Sequence, residues 1–574
     1  MKFIFRPVII LLLLLISIQQ NPLLAQKSPK FRKVKKEEKA QLAEYAFTEG
    51  MKNYLLGNFP QALSYFEESK KLGGENAALY YMMAKIYIQK DKTDIALQYA
   101  NKALKLDSQN KYYFLLVAEI YERQQNVAEA LKIYKRLIAE IPKNEELYYN
   151  IAEIYYYQKN YEEALKVYDK LEPIFGKALP LTKRKQDIYI RLNKMDQAIA
   201  EGESLIKAYP DEVEYQISHA EFLFKNKMTD KAIVILEQII KEHPEEAQAR
   251  LVLSDIYQSQ GNRAKSDEEL ETVFNNPDTD LKTKISIISG YLRARDTEYN
   301  SAKGVRLGEL TIKAHPAESQ AYAIYGETLL KAGKKEEGWK NFIKAAQLDN
   351  TSFNLWVQVI NLDIELNKAD SIIAHSEEAL ETFPNQAPLW LYNGLGNSLK
   401  KNYTKAVEML EEGKKLSVGN MELLLQFNSQ LADNYHYLKD YQKSDAAFEE
   451  VLKVDGNNNH ALNNYSYFLS LRKDKLDLAK SLSEKLIKKY PNEPTYLDTH
   501  AWVLYQMKNY EEAKKYLELA IQKTNNGTIV EHYGDSLYQL GQKDLAVEQW
   551  RKAKTLGETS DFIDKKISDK KLYE

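Results

Sequence analysis

The chain of 574 residues has no cysteine. Disulfides, thiolate metal sites, a thiol nucleophile and a cysteine-borne lipid anchor are thereby excluded. Neither sign of charge prevails: 80 Lys and Arg stand against 82 Asp and Glu, for a net charge of −2. Bulk positive charge therefore does not support nucleic-acid binding. The chain also lacks H-E-x-x-H, G-x-S-x-G and the G-x-x-x-x-G-K phosphate loop, the local signatures of zinc proteases, serine hydrolases and nucleotide-binding enzymes. Proline is scarce, 15 in all, while tyrosine is abundant, 41 against 18 phenylalanines. Few breakers and many half-polar rings suit a long helical chain with half-wet faces.

The longest apolar run near the start, Val8 to Ile18, is 11 residues, too short to span a bilayer comfortably. Lys2 and Arg6 precede it, and Asn21, Pro22, Leu23, Leu24 and Ala25 come after it, the layout of a secretory signal peptide over residues 1–25 with cleavage after Ala25. The next segment, a basic linker over 26–40, contains KSPKFRKVKKEEK with seven basic and two acidic residues. If the leader stayed attached, that excess would favour a cytoplasmic location for the rest of the chain, so cleavage and retention stay open. The linker reads as solvated, and peripheral contact of residues 27–39 with anionic headgroups is the sharper alternative. Export to the periplasm, or in association with the outer membrane, is the expected localisation.

A repeat organises the remainder. Small residues fall at Gly50, Ala84, Ala118, Ala152, Ala220 and Ser254, with Gln186 the one larger intruder, each 34 apart, and a second series runs Ala62, Ala96, Ala130, Ala164, Ala198, Ala232 and Ser266. Three residues beyond the first series stand Tyr87, Tyr121, Tyr155, Tyr189, Leu223 and Tyr257, on the same helical face as the small residue. NYEEALKVY from Asn160 and NYEEAKKYL from Asn509 are two copies of one slot. Their Asn and Glu at i and i+3 predict a capping box, and Ala164, Tyr168 and Leu171 predict an amphipathic helix. Each unit thus reads as two short helices and a tight turn, often closed by proline at Pro142, Pro210 and Pro244. Later units continue at Ala302, Gly338, Ile372, Ala406, Ser444, Ala479, Ala513 and Ala546 with slips in spacing.

These slots resemble the tetratricopeptide repeat family, a 34-residue helix-turn-helix with small residues at both positions, an aromatic after the second and a proline at the end. The resemblance implies an all-α, right-handed superhelical solenoid of about 15 repeats. The expected organisation is an N-terminal array over 41–278, a degenerate repeat or junction over 279–318, a C-terminal array over 319–557 and a capping helix over 558–574. Within the last segment, a capping Ser560 with Phe562, Ile563 and Ile567 on one face predicts a helix from Ser560 to Leu572.

The function implied is a non-catalytic protein-interaction scaffold, adaptor or assembly factor of the bacterial cell envelope. In the family the first helix of each unit lines the concave groove. An acidic residue succeeds the small slot at Glu119, Glu153, Asp187, Glu221 and Asp255, with Tyr81, Tyr112, Tyr149, Tyr156 and Phe224 nearby. These ten are the candidate binding residues, for a segment bearing basic and apolar side chains; the alternative is an acidic row that solvates the helices and pairs with neighbouring Lys or Arg. The family's carboxylate clamp uses Lys and Asn at inner positions; the matching residues are Phe47, Met51, Tyr81, Lys85, Leu115 and Glu119, of which Lys85 alone suits an acid. A holdase for secreted or outer-membrane proteins, and a solenoid enzyme using paired carboxylates, are the other functions considered. The eight histidines are scattered, so no metal is expected, nor any cofactor, nucleic acid or small-molecule substrate. YNGLGNS from Tyr392 sits in a helical repeat without a preceding strand and reads as scaffold.

Overall fold

The computed structural model describes residues 36–140, 143–295 and 297–573. The expectations for the signal peptide over 1–25, for residues 26–35 of the linker and for Pro142 lie outside them. Lys36 to Ala40, the end of the linker stretch, open the first helix, Lys36–Leu55. Among the described residues every regular element is a helix, 31 in all, ending at Ile563–Asp569. Thirty of them form fifteen successive hairpins and the last stands alone, so the chain is an all-α solenoid. No helix of the described residues is long and apolar enough to cross a membrane. The chain divides into two compact units, Met1–Ile239 and Ile240–Glu574; the 279–318 stretch lies inside the second, where Leu281–Arg293 and Glu298–Ala314 make a hairpin.

Each hairpin closes on its small slots. Ala84, Ala118, Ala152 and Ala220 on first helices, and Ala96, Ala130, Ala164, Ala198 and Ala232 on second helices, are all fully buried. A methyl group there lets two helix backbones approach closely while the larger residues around it pack the core. Gln186, the intruder, is accommodated by polarity: its Nε2 donates to the Ala198 carbonyl at 3.0 Å. Gly202 makes room, since a Cβ there would lie 2.9 Å from Gln186 Nε2 and 2.2 Å from His219 Nδ1.

The turn within each of the first seven hairpins repeats as strictly as the slots. Gly57, Asp91, Gln125, Lys159, Asn193, Lys227 and Gly261, each 34 apart, all have positive φ. The next amide closes a 6→1 bond on the tyrosine slot, as Lys92 N to Tyr87 O at 2.9 Å and Asn126 N to Tyr121 O at 2.8 Å. The amide of the left-handed residue closes the inner bond, Asp91 N to Ile88 O at 2.9 Å. This is a Schellman close, which satisfies the final carbonyls of the first helix and reverses the chain. At the other end of the repeat, the carbonyls of Pro210 and Pro244 accept side-chain bonds from Gln216 and Arg250, six residues on.

Three local expectations are corrected. Asn160 and Asn509 make no side-chain cap bond; Glu163 instead meets Lys166 Nζ at 2.5 Å, and Asn509 Nδ2 turns to Glu512 at 2.6 Å. Ala302 is exposed, and Gly304, buried in the same helix, takes the slot, 34 residues before Gly338. With Gly304 in the slot the spacing from Ser266 is 38 and that to Gly338 is 34, so the slip is one clean insertion of four, like that between Ala406 and Ser444. Each lengthened hairpin contains a 17-residue helix, Glu298–Ala314 and Met421–Tyr437. Finally, the terminal helix is Ile563–Asp569, shorter than Ser560 to Leu572, with Phe562 exposed and Lys566 buried beside Ile563.

Lysines replace apolar closure at two places in the second unit. After Leu281–Arg293 the backbone is extended at Ala294 (φ −63°, ψ 159°), and Lys331 Nζ donates to the carbonyls of Tyr291, Leu292 and Ala294 at 3.2, 2.6 and 3.2 Å. A cation placed on helix-end carbonyls is favourable on both hydrogen-bond and dipole grounds. At the far end, Lys566 Nζ donates to Glu531 at 2.8 Å and Asp535 at 2.7 Å, all three nearly out of solvent, while Asp535 also accepts from Trp550 Nε1 at 2.8 Å. Burial pushes Asp535 up to about 6, against the pull of Lys566.

Glycine at the exposed turn positions Lys227 or Lys401 should raise stability by up to about 1 kcal/mol in denaturant titrations, and isoleucine there should lower it by about 1–2 kcal/mol. Lys566→Met strands two buried carboxylates and should cost about 3–5 kcal/mol, read from loss of the Trp550 environment in fluorescence-monitored unfolding.

Candidate functional site

Unit 1 carries nine of the ten candidate binding residues, on the first helices of successive hairpins. The 34-residue period places them in register: Glu119, Glu153, Asp187 and Glu221 each succeed a buried slot residue and point off the packing stripe. They are joined to neighbours by specific bonds. Tyr156 Oη donates to Asp187 Oδ2 at 2.6 Å, bridging two hairpins. Arg191 Nε meets the same carboxylate at 2.9 Å and its guanidinium lies over the Tyr156 ring at 5.1 Å. Burial, with the Asp187 carboxylate adding to it, raises the Tyr156 hydroxyl above its ordinary value. Glu153 accepts from Tyr168 Oη at 3.2 Å and from Arg184 of the next hairpin at 3.2 Å. Tyr149 packs edge-on against the same Tyr168, with centroids 5.8 Å apart.

Glu119 and Glu221 are held by their own helices, through Arg123 at 3.0 Å and Lys225 at 3.8 Å. Asp187 and Glu221, with Lys183 and Lys225, line a cavity of about 360 Å³. Phe224 is half-buried. Tyr81 lies 5.2 Å from Tyr113, and Lys85 Nζ stands 5.6 Å from both the Tyr81 and Tyr54 rings. Tyr112 is exposed, with Lys111 over its ring at 5.2 Å. Asp255 belongs to the second unit, where it lines a cavity of about 500 Å³ with Tyr291 and Asn300.

The acidic row is therefore one strand of a mixed-charge lattice. Pairing with neighbouring Lys or Arg is the alternative weighed for this row from the sequence, and the structure names three of the partners: Arg123, Arg191 and Lys225 each stand four residues after an acid, the helical ion-pair spacing. The exposed Tyr157, beside Tyr156, is a further residue of this face that the period does not single out. The glycines of YNGLGNS are packing devices, since a Cβ at Gly394 would lie 2.5 Å from Leu410 and one at Gly396 2.8 Å from Ile373.

Where carboxylates converge, a buried lysine stands between them. Lys185 meets Asp169, Glu172 and Glu201 at 3.0, 3.0 and 2.7 Å; burial opposes its charge, but the bonds to Glu201, Asp169 and Glu172 raise it overall. Lys303 sits likewise on Asp267 at 2.8 Å. Three histidines pair with aspartates: His375 with Asp363, His460 with Asp433, and His532 with Asp498, at 2.7 to 2.8 Å. Among the described residues no group of three or more His, Asp or Glu is arranged to hold a metal ion. Lys284 differs, being fully buried with the Asn276 carbonyl at 2.7 Å and His315 Nε2 at 3.0 Å as partners; burial lowers it to about 8.

Tetratricopeptide repeat models match residues 81–145, 122–180, 223–281, 425–458 and 495–522. The chain is a multi-repeat tetratricopeptide protein. A TPR repeat-containing protein of Pseudomonas aeruginosa is 27% identical over 173 residues, 30% of this chain and 29% of that one, so the match spans less than a third of that relative's length. Among solved structures, a tetratricopeptide repeat protein from Parabacteroides merdae aligns with 13% identity and a TM-score of 0.38, covering 44% of this chain and 98% of that one. Yeast Tom70 aligns with 15% identity and a TM-score of 0.33, covering 93% and 96%. Stacked hairpins of this kind form protein-interaction scaffolds, because stacking generates extended binding surfaces.

Lys284 gives the array a pH signature. Its folded-state pKa is depressed, so the stability it contributes is present above its unfolded value of 10.5 and is lost as pH falls through about 8. Stability relative to Lys284→Met should therefore rise between pH 8 and 10.5, and Lys284→Met should be the more stable protein at pH 7 in parallel urea titrations.

Proposed function

We propose that the protein is a non-catalytic scaffold or assembly factor of the cell envelope, exported on its amino-terminal segment, that grips a partner segment bearing basic and apolar side chains along the first-helix face of unit 1. The observation that carries this reading is the exposure of Tyr112 and Tyr157, 57% and 78%, on the helices that carry Glu119 and Glu153. Large rings left in water beside carboxylates are the surface from which binding hot spots are built. The ion pairs around them do not block docking. Exposed pairs such as Glu119 with Arg123 contribute at most about 1 kcal/mol, so a partner's Lys or Arg exchanges with Arg123 or Lys225 at little cost. The leader-like layout of residues 1–25 supports the envelope location.

A photo-crosslinking residue at Tyr157 of the full chain, expressed in cells, should trap a discrete partner. The double variants Tyr112→Ser with Tyr157→Ser, assayed from a crosslinker at Gln89, and Glu119→Lys with Glu221→Lys should each cut recovery of that partner about tenfold. Undiminished recovery in both would sink the docking face. Detection of the chain solely in the cytoplasm, with Met1 retained, would sink export.

A further inference from the structure

Unit 2 presents a first-helix surface of a different kind. The helices Ala387–Leu399, Met421–Tyr437 and Asn459–Arg472 belong to three successive hairpins and contribute to a cavity of about 330 Å³. Leu391, Leu395 and Leu425 supply its apolar wall, and Gln426 and Gln430 bring amides to it. Its lining holds no unbalanced charge. His460 is its one titratable side chain apart from the Tyr392 phenol, and His460 Nε2 lies 2.8 Å from Asp433 Oδ2, whose other oxygen accepts from Asn464 at 3.1 Å. The Tyr392 hydroxyl is engaged with Asn361 at 3.3 Å, and Ser429 Oγ with the Leu425 carbonyl of its own helix at 2.8 Å. The side-chain amides of Gln426 and Gln430, by contrast, make no hydrogen bond among the described residues.

We propose that this cavity is a docking slot for one large apolar side chain of an uncharged protein segment, whose main chain bonds to the Gln426 and Gln430 amides. Charge complementarity selects the occupant. An acidic or basic side chain entering here would shed water and find no counter-ion, because Asp433 and His460 already satisfy each other, and such desolvation opposes binding. A Leu or Phe in the same place is favoured instead, because it takes apolar surface out of water. Each free glutamine amide offers both a donor and an acceptor, the pair that an uncharged peptide main chain requires. The cavity lies at the small end of ligand pockets, about 300–1,000 Å³, a size for a side chain. The slot is separate in chemistry and in sequence from the charged, tyrosine-bearing face of unit 1 and does not rest on it.

The test uses the full chain and capped, fluorescently labelled peptides of Ser, Thr and Gln with a central Phe, Lys or Asp, monitored by anisotropy. The Phe peptide should bind about tenfold or more tightly than the Lys and Asp peptides. Leu395→Gln should weaken the Phe peptide about tenfold. Gln430→Glu, which keeps the side-chain shape, should shift preference toward the Lys peptide, and Glu119→Lys with Glu221→Lys should change nothing here. A Phe peptide that binds no better than the charged ones overturns the proposal. So does a Phe peptide bound equally well by wild type, Leu395→Gln and Gln430→Glu.

Discussion

Everything in this chain depends on two helices touching through a methyl group. The pairing of a small residue on one helix with a small residue on the next sets the interaxial distance within each hairpin, and the left-handed turn residue fixes how the chain reverses into it. With those two constraints met every 34 residues through the first seven hairpins, the larger side chains have one place to go. Leu79, Phe114, Leu147 and Tyr168 fill the space between hairpins and belong to one continuous apolar cluster in unit 1. Because each hairpin packs only on its neighbours, the array absorbs local departures without global rearrangement. Gln186 is absorbed by Gly202, and each four-residue insertion by a single longer helix.

The two units keep this scheme with different interiors. Unit 1 has one long apolar cluster that reaches from Ala62 to Ile188, with buried Lys185 and Gln186 near its end, and carries on its first-helix surface the lattice of Glu119, Arg123, Glu153, Arg184, Asp187 and Arg191. Unit 2 breaks its core into separate apolar clusters and carries paired polar groups inward, among them Asp363 with His375 and Trp339, and Asp535 with Lys566 and Trp550. A buried pair is weak evidence for stability but demands a particular geometry. The hairpins of unit 2 are correspondingly less interchangeable than those of unit 1.

Much of the fold is legible in the sequence because the signal for it is periodic. The two small series, the tyrosine slot and the number of hairpins can all be counted along the chain. The features that stay hidden are non-periodic. Ala302 looks like a slot residue by identity, yet Gly304 fills that role, since the four-residue insertion carries the slot two residues beyond Ala302. Asn160 and Glu163 carry the letters of a capping box, but Lys166 competes for the glutamate. The candidate face is half legible: the acids and rings are where the period places them, whereas the cross-hairpin bonds of Tyr156 with Asp187 and Arg184 with Glu153 depend on three-dimensional proximity. The slot beside Leu395 has no sequence signature, because its walls come from helices separated by whole repeats.

The buried lysine at the carboxyl-terminal end has an evolutionary consequence. Arrays of this type grow and shrink by duplication of whole hairpins, which works where neighbouring units present the same alanine-rich seam. Glu531, Asp535 and Lys566 form a lock that such a seam does not fit. A hairpin inserted between Asp535 and Lys566 would separate two anions from the cation they share, so that junction is closed to duplication.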